Sequence, residues 1–241
     1  MIIREERCVG CGRCQPYCPE GAIGYKGLKS AVDQVACVEC GTCLRVHICP
    51  VDALMEHPQV FEYPRALRKY FSDPAATHKA TGISGRGTEE SKTNDVTGRV
   101  GMDEVGIAIE VGRPTLGMNL HDVQKISRAL AKAGITEIEE CNPIHSMYAN
   151  PETGDLKPEL LDERVLSAII EICVPFEKAP LVLRTAKEVA KELDSVFTFD
   201  IFSRLEPNLT IQQRVLDMLK AEGLPWRPNA KINMGLGRAG E

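Results

Sequence analysis

No stretch of the 241-residue chain approaches 18 consecutive apolar residues, so no membrane-spanning helix is expected. The opening Met-Ile-Ile-Arg-Glu-Glu-Arg runs straight into Cys8 and leaves no room for an apolar export segment; no secretory signal is expected. A basic excess is also missing. With a net charge of −5 the chain lacks the clustered positive surface that phosphates demand, and no nucleic-acid partner is expected. Cysteine is scarce after residue 49, where only Cys141 and Cys173 follow, which is not the even spread of a secreted disulfide scaffold. What remains, 43% hydrophobic and 26% charged, is an ordinary soluble globular balance. The length suits one large domain or two small ones, and the uneven cysteines favour two.

Eight of the ten cysteines lie between Cys8 and Cys49, in a repeat. Cys8-x2-Cys11-x2-Cys14-x3-Cys18-Pro19 is echoed by Cys37-x2-Cys40-x2-Cys43-x5-Cys49-Pro50. The first three cysteines recur at an offset of 29 residues and the fourth at 31, so the second copy carries two extra residues. Few large apolar residues stand between them, and something other than a hydrophobic core must hold this part together. A Cys-x2-Cys-x2-Cys run wraps three corners of an iron–sulfur cube, with the fourth thiolate supplied from elsewhere. A proline after the fourth cysteine ends the local turn. Zinc is the competing reading, but zinc knuckles use paired Cys-x2-Cys, and a third cysteine at the same spacing fits them poorly.

These two runs resemble the bacterial two-cluster ferredoxins, over about a quarter of the chain. The resemblance implies two [4Fe–4S] clusters with the fourth cysteine of each run serving the other cluster. Carried over, Cys8, Cys11, Cys14 and Cys49 hold one, and Cys37, Cys40, Cys43 and Cys18 the other. The five residues between Cys43 and Cys49, where the family has three, bulge the turn. His47 lies in that insertion, either as a solvated loop residue or as a hydrogen-bond donor near a cluster sulfur.

The expected organisation is a ferredoxin domain at 1–57, a basic helix and Gly-rich linker or docking loop at 58–101, a βαββαβ domain at 102–206 and a tail at 207–241. Residues 64–71 read as a short basic helix. In the third segment Val105, Ile107, Ile109 and Val111 alternate as a strand. Asn119 caps a helix carrying Leu120, Val123, Ile126 and Leu130, stopped by Gly134. Residues 135–147 read as a weaker strand, and residues 166–174 as a clear one. A helix over Val182, Ala186, Val189 and Leu193 and a strand over Phe197, Phe199 and Ile201 complete the order. The fold class is therefore α+β, a two-cluster ferredoxin domain followed by a ferredoxin-like or ACT-like βαββαβ sandwich. Residues 209–219 of the tail read as helical.

The loop at 82–99 holds several glycines with Arg86, Lys92 and Arg99, a set able to cradle an anion or part of a partner's flavin. No strand precedes it, so it is not a dinucleotide fingerprint, and it reads either as an ordered docking loop or as a linker. It resembles a segment of iron–sulfur proteins related to 6-hydroxynicotinate reductase, a flavin and iron–sulfur enzyme of anaerobes. Small archaeal proteins that join a βαββαβ domain to a two-cluster ferredoxin, implicated in sulfur assimilation into homocysteine, are similar in architecture with the order reversed. Cys141 and Cys173 fall on neighbouring strands and read as buried free thiols. Glu139, Glu140 and His145 read as a solvated strand edge.

Residues 1–60 hold six Lys or Arg and seven Asp or Glu, a net of −1. Freely diffusing carriers use strong charge to steer to many partners, so a nearly neutral cluster domain points to a dedicated one. The expected function is single-electron transfer to a protein reductase or from an electron donor, a flavoprotein being the favoured class, in the reducing cytoplasm of an anaerobe. Two alternatives stand beside it. One is a stand-alone reductase with its site in residues 72–206. The other is a small-ligand sensor with clusters as redox input.

Overall fold

The computed structural model describes residues 1–79, 82, 98–112, 117–140, 142–208 and 210–226. The first region is built from short pieces: β1 (Ile2–Ile3), β2 (Ile23–Lys26), β3 (Lys29–Val32), α1 (Thr42–Arg45) and β4 (Leu54–Met55). Strand β1 pairs antiparallel with β4, Ile2 opposite Met55, and β2 with β3, Ile23 opposite Val32. Its buried core is small, Met1, Ala22, Ile23 and Leu54 together with Cys37 and Cys43, and other cysteines pack around its edge. So little apolar surface cannot offset the chain entropy of some 57 residues by itself.

Helix α2 (Ala66–Ser72) follows, and all seven of its residues are buried. It is a joint. Ala66, Leu67, Tyr70 and Phe71 enter the large second core. Its cations reach back to the first region, and Arg68 reaches both. Arg65, at its N-cap, pairs with Glu39 and donates to Gln34 at 2.7 Å. Arg68 donates to the carbonyls of Gln34 (2.8 Å) and Cys37 (2.9 Å) and pairs with Glu163. Lys69 bridges Glu56 and Asp73. The basic residues of this helix are thus consumed inside the molecule.

The second region comprises β5 (Glu104–Val111), β6 (Met118–Asn119), α3 (Leu120–Lys132), β7 (Tyr148–Asn150), β8 (Asp155–Leu156), β9 (Arg164–Val165), β10 (Ala168–Pro175), α4 (Ala179–Val189), β11 (Phe197–Phe202) and α5 (Gln213–Ala221). Strands β10, β5 and β11 form an antiparallel sheet in that order, with Ile107 opposite both Ile172 and Ile201. Helix α3 starts as expected, the Asn119 side chain accepting from the Asp122 amide at 3.3 Å, and Gly134 ends it at φ +74°. Its stripe of Leu120, Val123, Ile126 and Leu130 is fully buried, as are Val182, Leu183 and Ala186 of α4. Residues expected in the tail contribute too, since Val215, Met218 and Leu219 of α5 join this core.

The strand expected over 135–147 is a correction. It shrinks to one bridge, Ile138 opposite Ile172. The chain then turns at Asn142-Pro143. The Asn142 side-chain oxygen accepts from the Ile144 amide at 2.9 Å, its side-chain amide donates to the Ile169 carbonyl at 2.8 Å, and Pro143 has no N–H for a ladder. The region is therefore a mixed helix and sheet unit with three long strands. Among the described residues no helix is long and apolar enough to cross a membrane.

Candidate functional site

The repeat brings the eight cysteines into two cavities. One, of about 320 Å³ including its open mouth, is lined by Cys8, Cys11, Cys14 and Cys49, with Ile3, Ser30 and Leu54 among its walls. The other, of about 340 Å³, is lined by Cys18, Cys37, Cys40 and Cys43, with Met1, Ile23 and Glu39. Each cavity thus draws three thiols from one run and the fourth from the other. A zinc ion would hold its four sulfurs roughly 3.8 Å apart, from Zn–S bonds of about 2.3 Å. A cluster of several atoms holds its thiolates farther apart, around a cube.

Backbone geometry explains how the runs wrap. Gly10, Gly12 and Gly41 take left-handed φ of +68° to +70°, which turns the chain between successive cysteines. The Gly10 amide donates to Cys8 Sγ at 3.4 Å. After each fourth cysteine the motif Cys-Pro-x-x-Ala sends an amide back to sulfur, from Ala22 to Cys18 at 3.1 Å and from Ala53 to Cys49 at 3.2 Å. The sequence carries this motif twice, and those alanines are donors that the cysteine spacing alone does not reveal. The extra residues before Cys49 are absorbed by the single turn of α1 and by His47 in the left-handed region, φ +48°. His47 is exposed and lines neither cavity.

The two sites differ in burial. Cys37, Cys40 and Cys43 are buried, whereas Cys11 is exposed and Cys8, Cys14 and Cys49 are partly so. Burial, with the negative charge of Cys40, Cys37 and Cys18, pushes the Cys43 thiol up to about 12. Burial likewise raises Cys14, against the Ser30 hydroxyl, and raises Cys37 against the Met1 amine. At Cys49 burial is outweighed by the amides of Ala53, Val51 and Leu54, which hold the thiol below its ordinary value. Ionising such thiols together is costly unless a cationic group compensates them, which is what bound iron does.

Elsewhere, among the described residues, the candidates do not converge on a site. Glu139 is paired with Arg99 at 2.9 Å, Glu140 is exposed, and His145 stacks edge-on to Tyr148. Cys173 Sγ lies 3.7 Å from the Arg99 carbonyl, and burial with the charges of Glu104, Glu139 and Glu171 pushes it up to about 12. Cys141, Arg86 and Lys92 lie outside the described residues, with most of the 82–99 loop.

A 4Fe–4S binding domain family matches residues 1–24. The chain is 34% identical over 59 residues to a ferredoxin-like protein in the vnf region of Azotobacter vinelandii, covering 23% of this chain and 91% of that protein. It is 34% identical over 68 residues to ferredoxin Fdx2 of Sorangium cellulosum, covering 26% of this chain and 65% of that one. It is 42% identical over 50 residues to a component of the ion-translocating oxidoreductase complex of Methanosarcina acetivorans, covering 21% of this chain and 18% of that protein. The chain thus spans under a fifth of the Methanosarcina relative's length. No solved structure matches it.

Proposed function

The chain belongs, through its N-terminal region, to the ferredoxin-like 4Fe–4S electron-transfer proteins, and from that premise we propose that it is a dedicated electron-transfer subunit with two [4Fe–4S] clusters. Cys8, Cys11, Cys14 and Cys49 hold one; Cys18, Cys37, Cys40 and Cys43 hold the other. When bound, each cluster supplies a site that takes up and releases one electron without proton chemistry on the chain. The protein's part is to hold, orient and shield. Amides of Ala22 and Ala53 aim at sulfur, and the crossed fourth cysteines staple the two halves of a region with little core. Arg68 of α2 ties that region to Glu163 of the second region.

The partner is a redox protein, and the flavin-containing reductase is the class we favour. The near-neutral charge of residues 1–60 fits a fixed partner reached by surface fit, with the mixed helix and sheet region as the dock, in place of an ACT-like ligand sensor. We place the protein in a reducing cytoplasm, where exposed clusters survive.

The observation that carries this reading is the crossed gathering of four cysteines in each cavity. Anaerobically prepared chain is expected to carry about eight iron and eight sulfide, two cubes' worth, with visible absorbance bleached by dithionite. Cys49→Ala is expected to perturb the site of Cys8, Cys11 and Cys14 and to spare that of Cys37, Cys40 and Cys43, read by electron paramagnetic resonance against Cys18→Ala. Stoichiometric zinc without sulfide defeats the reading, and loss of the opposite site defeats the crossed assignment.

A further inference from the structure

Ser30 stands on β3 and is 6% exposed. It lines the cavity of Cys8, Cys11, Cys14 and Cys49. Its Oγ is buried and makes no hydrogen bond of full geometry, and the group it faces is the Cys14 thiol, whose ionised form it favours. A buried hydroxyl normally finds a partner, and this one stands beside four thiols. The offset of 29 that relates the cysteine runs relates Ser30 to Met1. Met1 lines the other cavity, where its amine lies 3.8 Å from Cys37 Sγ, so the repeat places different groups at equivalent positions beside the two sets of cysteines. The alanine amides after each Cys-Pro are common to both sites, whereas the Ser30 hydroxyl belongs to one.

We propose that the Ser30 hydroxyl donates a hydrogen bond to sulfur at the Cys8, Cys11, Cys14 and Cys49 site and thereby raises the reduction potential of the cluster held there. The inference rests on the two-cluster reading. One electron enters from an external donor and adds one negative charge to the site. No covalent bond changes, and the proton stays on Ser30 Oγ. A donor aimed at sulfur interacts more strongly with the more negative, reduced form, so it shifts the couple upward. Burial strengthens the effect, because little water is present to screen it. Ser30 is a positioning and tuning residue; it is no ligand.

The test is a potentiometric titration of the full chain by electron paramagnetic resonance, with iron content measured first. A hydrogen bond to a charged group is worth about a factor of ten in an equilibrium. Ser30→Ala is expected to lower one of the two couples by about that factor, ~59 mV for a one-electron couple, and to leave the other in place. Ser30→Thr, which keeps the hydroxyl, is expected to titrate close to the parent, and Ser30→Val, of the same shape without it, to follow Ser30→Ala. The Thr and Val pair decides the matter if Ser30→Ala loses iron, since cavity volume is then matched. Normal iron with both couples unmoved, or Thr and Val shifted alike, overturns the role of Ser30 and leaves the two-cluster reading intact. A parent chain without clusters overturns both.

Discussion

Gly10 shows at single-residue scale how closely the cysteine run is fitted to the rest of the region. Its φ is +70°, and a Cβ built there lies 2.0 Å from the Leu28 carbonyl oxygen on the facing hairpin turn. Left-handed backbone costs an ordinary residue about 1–2 kcal/mol, and here the clash is with main chain that has no rotamer to yield. Gly10→Ala is expected to pull the Cys8–Cys11 turn off its hairpin and to cut iron and sulfide to about half, the loss falling on one site. Full iron in that variant refutes the account. At the equivalent position of the second run stands Glu39, also left-handed at φ +56°. Its side chain gains the buried pairs with Arg65 and the Met1 amine that glycine lacks. The cysteine spacing was legible at sight. The partners of Glu39 were not, because Arg65 lies 26 positions away on another element.

At the scale of elements, α2 draws on the charges around it. Asp73, just past its C-terminus, is 5% exposed and is bound by Lys69 at 2.8 Å, Arg45 at 2.5 Å and the Ala75 amide at 3.0 Å. Burial raises its carboxyl, but Lys69, the amide and Arg45 together hold it below the ordinary value. A carboxyl whose folded value is depressed adds stability at pH above its unfolded value, and that stability drains away as pH falls through the folded one. The parent chain is therefore expected to lose stability on acidification below about pH 4, the ordinary carboxylate range. Asp73→Asn is expected to be less stable at neutral pH and to show a shallower fall in the acid limb, followed by denaturant unfolding at several pH values. Identical acid limbs refute the assignment. The sequence marked this helix as basic, and its pattern says nothing of where the cations point.

For the molecule as a whole, the question is whether two regions unfold as one. Arg68 joins them most directly, reaching the Gln34, Val35 and Cys37 carbonyls on one side and Glu163 on the other while itself 7% exposed. Removing one partner of a buried pair leaves an uncompensated charge and costs about 3–5 kcal/mol. In the cluster-loaded parent, visible absorbance and far-ultraviolet dichroism are expected to fall together in denaturant. In Arg68→Ala the absorbance is expected to go first, at lower denaturant, as the cysteine region separates from the sheet. Coincident transitions in the variant mean that the joint lies elsewhere. Local pattern was enough for the cysteine runs, the three long strands, the cap of α3 and the stripes that bury α3 and α4, because spacing and periodicity belong to each element separately. The rest came only with the closed chain. The second strand was reduced to a bridge, since Asn142 found the Ile169 carbonyl across the sheet edge. The basic helix became a buried joint, and Ser30 was set against one group of cysteines. Those outcomes depend on which distant groups meet, and a linear pattern does not encode the partner of a polar group once the chain has closed around it.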